Sequence, residues 1–183
     1  MRKEIKIGGF GGQGVILSAH ILGKAASIFA NKYSTMIQSF GPEARGSSCS
    51  AQVIISDELV AYPYVTSPEI LVVMSQEAYT KFLPELKDGG ILITESDLIQ
   101  VDNLKPSIRH FAIPSTRIAE ELGRKLILNI VMVGFFAAIT KILDKESVYK
   151  AVESSVPRGT EILNLNAFNK GYEFGIDLLA KLN

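Results

Sequence analysis

Gly9, Gly11 and Gly14 satisfy G-x-G-x-x-G, and Gly12 adds a fourth glycine to the same turn. The spacing suits anion binding: glycines let the backbone bend sharply, admit a ligand closely and aim free amides at it, with Gln13 inside the same turn. The structural alternative is a tight strand-to-helix turn in which Gly14 merely packs against the sheet. A dinucleotide site would want an acidic side chain about 20 residues further on to hold a ribose hydroxyl. The stretch 33–40, Tyr-Ser-Thr-Met-Ile-Gln-Ser-Phe, has none. A second glycine-bearing loop follows instead, in which Gly41 and Gly46 flank one cation, Arg45. A guanidinium forks onto phosphate or carboxylate. The two loops together point to a phosphate-bearing ligand other than NAD; pairing of Arg45 with Glu43 or a partner subunit is the competing reading.

Other reactive side chains are scattered. Cys49 has hydroxyl neighbours and no nearby histidine, so nothing in sequence depresses its thiol pKa. His20 and His110 form neither a metal site nor a triad and read as structural. Glu95 and Asp97 follow a strand and could serve as acid and base or hold a metal, although two carboxylates beside a turn are common on surfaces. Asn129 interrupts an apolar run, and a buried amide there must find partners, in a loop or a neighbouring chain. No Walker motif, G-x-S-x-G, H-E-x-x-H or cysteine cluster occurs.

The elements that must position these residues alternate. Strands are predicted over residues 4–8, 34–39, 51–56, 70–75, 91–94 and 108–113, and helices over 13–31 and 76–86. The first helix opens a βαβ unit. The unbroken apolar run at 70–75 marks a strand covered on both faces. Helical patterns then occupy 115–123, with Ser115 as the expected cap, and 126–143, 145–155 and 161–182. The fold expected is α/β: a Rossmann-like, mostly parallel sheet flanked by helices, with a helical C-terminal third, in a single domain over residues 1–183. Both glycine loops should meet beyond the carboxyl ends of the strands, with Ser75 and Glu95 at neighbouring strand ends.

Composition narrows the class. Nineteen basic and nineteen acidic residues cancel, which leaves no field to attract nucleic acid or an anionic membrane. The longest apolar run, 126–139, is too short for the ~18–20 residues of a bilayer span. A single cysteine excludes an internal disulfide and any iron–sulfur cluster held by this chain's own thiolates. A reducing, cytoplasmic setting follows. The mean hydropathy of +0.22 hints at apolar surface that a subunit interface would cover, and a homodimer is an option when other partners are absent.

Three blocks carry a resemblance. Gly8-Gly9-Phe10-Gly11-Gly12-Gln13-Gly14-Val15, then Ser39-Phe40-Gly41-Pro42-Glu43-Ala44-Arg45-Gly46, then Val53-Ile54-Ile55-Ser56-Asp57-Glu58 resemble the gamma subunit of the 2-oxoacid:ferredoxin oxidoreductases. Residues 118–123, Asn129 and 166–172 are similar to later blocks. The resemblance implies a non-catalytic accessory subunit of an enzyme that decarboxylates a 2-oxoacid oxidatively, reduces ferredoxin and transfers the acyl group to coenzyme A. It implies alpha and beta partner subunits, with a delta subunit where one exists, carrying thiamine diphosphate and iron–sulfur clusters. It places Gly9, Gly11, Gly12, Gln13, Gly14, Gly41, Arg45 and Gly46 toward coenzyme A. Gly46-Ser47-Ser48 departs from the family, where a second glycine often follows Arg-Gly. The Arg-Gly-Ser-Ser-Cys-Ser run leans toward the 2-oxoglutarate branch, with the pyruvate, ketoisovalerate and indolepyruvate enzymes as relatives. A stand-alone Rossmann-type nucleotide-binding enzyme or regulator is the alternative.

Overall fold

The computed structural model describes residues 1–40 and 48–182. Six strands, β1 (Arg2–Phe10), β2 (Tyr33–Phe40), β3 (Ser48–Ser56), β4 (Ile70–Val73), β5 (Ile91–Glu95) and β6 (Arg109–Ile113), form one sheet in the order β2-β3-β1-β4-β5-β6. β1, β4, β5 and β6 run parallel. β3 is antiparallel to both of its neighbours. The expected βαβ opening is therefore modified: β2 points the same way as β1 but does not pair with it, because β3 returns from β2 and takes the place between them. β1 and β3 pair over nine residues, from Arg2↔Ser56 to Phe10↔Ser48, and so extend beyond the strands expected at 4–8 and 51–56.

The central strands are apolar without alternation because both faces are covered. All four residues of β4 are buried. On one face lie α2 (Gln76–Phe82) and a short 3-10 turn through Pro84, with Tyr79, Phe82, Leu86 and Ile99 packed on Leu71, Val73 and Leu92. The proline thus ends the helix expected over 76–86 early. The other face carries the main core: α1 (Val15–Lys24), α3 (Ser115–Glu121), α4 (Leu128–Thr140), α5 (Lys145–Glu153) and α6 (Glu161–Leu182).

α4 is buried from Leu128 to Ile139, as expected of a helix apolar on every side, and α6 lies against it. The crossing is backbone on backbone: a Cβ at Gly134 would sit 2.0 Å from the Phe168 carbonyl oxygen, and one at Gly171 would sit 1.9 Å from that of Val131. Along α6, Leu165, Phe168, Tyr172 and Leu179 share a helical face and meet the core. Leu182, at the end of the helix, is exposed.

Two local expectations fail for physical reasons. The helix expected over 13–31 begins at Val15 and widens into a π-helical turn over Ala25–Phe29, where the Ala30 and Lys32 amides reach back to the carbonyls of Ala25 and Ala26. The Gly23 carbonyl just before it accepts from both the Ser27 and the Ser34 hydroxyls, at 3.0 and 2.9 Å. Ser115 does not cap α3. Pro114 holds the cap position, and the Ser115 hydroxyl is buried without a partner among the described residues.

Candidate functional site

The glycine corner joins the end of β1 to the start of α1. Gly12 and Gly14 adopt φ of +94° and +74°, left-handed values that L side chains rarely tolerate. Gln13 holds the turn shut. Its Oε1 accepts from the Phe10 amide at 2.7 Å, its Nε2 donates to the Met74 carbonyl at 2.7 Å, and its own amide donates to the Phe10 carbonyl at 3.1 Å. One side chain thus ties the end of β1 to the segment just beyond β4. A Cβ at Gly9 would meet Gln13 Oε1 at 2.6 Å, so a glycine there makes room for the bridge.

Gly14 faces inward. Its carbonyl accepts from the Ser18 amide and hydroxyl, at 2.9 and 3.0 Å, and from Asn129 Nδ2 at 3.4 Å. A Cβ at Gly14 would come within 2.4 Å of that side-chain amide. The packing reading of Gly14 therefore describes its inner side, and Asn129 finds its partner in the glycine loop. The outer side stays open: Gly11 and Gly12 are exposed, and the amides of Gly11, Gly12 and Gly14 make no hydrogen bond among the described residues. α1 starts without a side-chain cap and without an acidic residue in its first turn. No acidic side chain in that first turn opposes an anion approaching the positive end of the helix dipole.

Gly41, Arg45 and Gly46 fall in segment 41–47, outside the described residues. The anchors of that segment are described: Phe40 pairs with Cys49, and Ser48 pairs with Phe10, so both ends of the segment flank the glycine corner.

The remaining candidates separate. The Ser75 hydroxyl accepts from the Ala78 amide at 3.2 Å and caps α2. Cys49 is buried, which pushes its thiol pKa up and removes it as a nucleophile. His110 pairs through Nε2 with the Thr94 hydroxyl at 2.8 Å, and burial lowers its pKa. Glu95 and Asp97 do not act together. Asp97 binds Arg117 through both oxygens, at 2.6 and 3.2 Å. Glu95 is fully buried, with one oxygen 3.5 Å from the Thr116 amide and the other unpartnered. Desolvation raises its pKa against the pull of the backbone amides of Asp97, Thr116 and Leu98. No group of three or more His, Cys, Asp or Glu side chains that could hold a metal occurs among the described residues. No helix among them is long and apolar enough to cross a membrane.

The family described as pyruvate ferredoxin/flavodoxin oxidoreductase matches residues 4–174. The chain belongs to that family. Relatives within it align end to end: 2-oxoglutarate synthase subunit KorC of Methanocaldococcus jannaschii is 47% identical over 180 residues, covering 97% of this chain and 96% of its own length. The KorC subunit of Methanothermobacter marburgensis is 45% identical, covering 94% and 96%. Among solved structures, the gamma subunit of a keto/oxoacid ferredoxin oxidoreductase from Geobacter sulfurreducens superposes with a TM-score of 0.83 at 37% identity, covering 96% of this chain and 99% of that one. A 2-oxoglutarate:ferredoxin oxidoreductase from Magnetococcus marinus, described with 2-oxoglutarate, coenzyme A and succinyl-CoA bound, shares the fold at a TM-score of 0.87 and 20% identity, covering 95% of this chain and 31% of that one. The resemblance drawn from the three sequence blocks is borne out, as is the α/β fold with a mostly parallel sheet. Sequence reasoning missed the double bridge made by Gln13. Its only signal was a long amide side chain three residues past Phe10 among residues that otherwise lack one.

Proposed function

We propose that this chain is the accessory gamma subunit of a 2-oxoacid:ferredoxin oxidoreductase acting on 2-oxoglutarate, and that its glycine corner forms part of the wall along which coenzyme A lies. The observation that carries the reading is the end-to-end match at 47% identity to a subunit of 2-oxoglutarate synthase. The site chemistry supports it. An uncapped helix start and exposed glycine amides suit a phosphate, while one buried cysteine and separated carboxylates leave bond-making to other chains. Gly11, Gly12 and Gly14 present amides to the phosphates, Gln13 keeps the turn in shape, and Arg45, between Gly41 and Gly46, supplies the cation. Thiamine diphosphate and iron–sulfur clusters belong to the alpha and beta partners, and to a delta subunit where one exists, with ferredoxin reduced through the complex.

Reconstitution tests the reading. Purified chain, 2-oxoglutarate, coenzyme A and a viologen acceptor should give no reduction. Adding the thiamine- and cluster-bearing subunits should give turnover that rises with this chain and saturates at one copy per catalytic unit. Reduction by the chain alone, or full activity of the partners without it, would contradict the assignment.

A further inference from the structure

The two edges of the sheet are built differently. At one edge, β6 spans five residues and opens with Arg109 and His110, a short strand with polar groups that discourage further pairing. At the other, β2 runs eight residues, Tyr33 to Phe40, in unbroken register with β3 from Tyr33↔Ser56 to Phe40↔Cys49. It contains no charged residue and no proline. Among the described residues its outer backbone groups have no strand beside them. None of the usual defences of an edge, a charge, a proline, a bulge or brevity, is present.

The surface beside this edge is apolar as well. An open groove of about 550 Å³ runs between α1 and β2, lined by Ile16, Leu17, His20, Met36 and Gln38. At the two ends of the strand, Tyr33 and Phe40 are 49% and 63% exposed, too much apolar surface to leave on an edge that itself solicits pairing.

We infer that β2 pairs antiparallel with β2 of a second copy of this chain about a two-fold axis normal to the sheet, joining the two sheets into one. The occupant follows from charge and symmetry. A two-fold of this kind matches like faces, so residues of equal parity oppose one another and the centre falls on Met36 or Ile37. Self-pairing sets each side chain against a near neighbour of itself, which a strand with charges of one sign would forbid. A neutral strand permits it in either register. An isologous interface of this type also closes on itself and leaves only the two short β6 strands as edges.

The test uses the full chain alone, so it is independent of the assignment to an oxidoreductase. By light scattering after gel filtration the chain should have twice its 19.9 kDa mass. Gln38→Lys with Ser39→Lys, both at exposed positions, should give a monomer that keeps the helix and sheet content of the unmodified chain by circular dichroism. In a Cys49→Ala background, a cysteine introduced at Met36 or Ile37 should be joined to its counterpart by a short bismaleimide, whereas one introduced at the exposed Lys105 should not. A monomer at every concentration overturns the inference. So does a dimer that survives the lysine pair or escapes cross-linking. A chain that is monomeric alone, yet loses its catalytic partners when Gln38 and Ser39 become lysine, also overturns it and assigns the strand to another subunit.

Discussion

At Gly14 two demands coincide. The backbone must hold φ at +74°, and the Asn129 side chain must approach to within 2.4 Å of where a Cβ would stand. Gly14→Ala is expected to cost about 2–4 kcal/mol, strain and collision together. An Asn129→Ala background removes the two closest atoms but leaves the Cβ of residue 129 at 2.8 Å, so the cost falls without dropping below the about 1–2 kcal/mol of left-handed strain. Urea denaturation of the four proteins in this cycle checks the point; costs that simply add would show that the two residues do not meet. Glu95 makes a separate claim. Burial raises its folded-state pKa above the ordinary 4.5, so the unfolded chain gives up this proton first. The contribution of Glu95 is then most favourable at acid pH, declines as pH rises from 4.5 through the folded value, and is flat above it. Glu95→Gln should flatten that part of the stability profile and raise stability at pH 7, measured by urea denaturation between pH 4 and 8. A steeper profile in the variant would contradict the account.

At the scale of elements, α4 and α6 cross backbone to backbone. Gly134→Ala and Gly171→Ala each drive a methyl into a carbonyl that no side-chain rotation can move. Each should cost about 3 kcal/mol or more and lower the melting temperature, at the upper end of overpacking penalties. A change within ~0.5 kcal/mol, the range of ordinary surface substitutions, would mean the helices separate freely. Neither glycine stood out in sequence, because close approach is a property of two helices and one sequence shows only the spacing within each. The unbroken run Ile-Leu-Val-Val announced a strand covered on both sides, and periodicity identified the helices around it. The insertion of β3 between β1 and β2 was hidden, since pairing partners are chosen by register across distant segments. Pro114 displaced Ser115 from the cap for a reason equally invisible to propensity: the chain reaches α3 directly from a strand that fixes where the helix starts. The glycine corner itself was legible because its chemistry is local, and Asn129 was legible as an oddity whose partner only the fold could name.

At the scale of the whole molecule, the start of α1, the anchors of segment 41–47 and the bridge made by Gln13 lie together at the end of the sheet where β1 finishes. On the proposed function this end of the sheet is a wall along coenzyme A. Its most direct test is the KM for coenzyme A in the reconstituted oxidoreductase carrying Arg45→Ala. Loss of one charge-assisted phosphate contact, worth about 1.5–3 kcal/mol, should raise that KM about tenfold or more and leave both the KM for 2-oxoglutarate and the assembled mass unchanged. An unchanged KM for coenzyme A in a fully assembled complex would contradict the placement of these loops along the coenzyme.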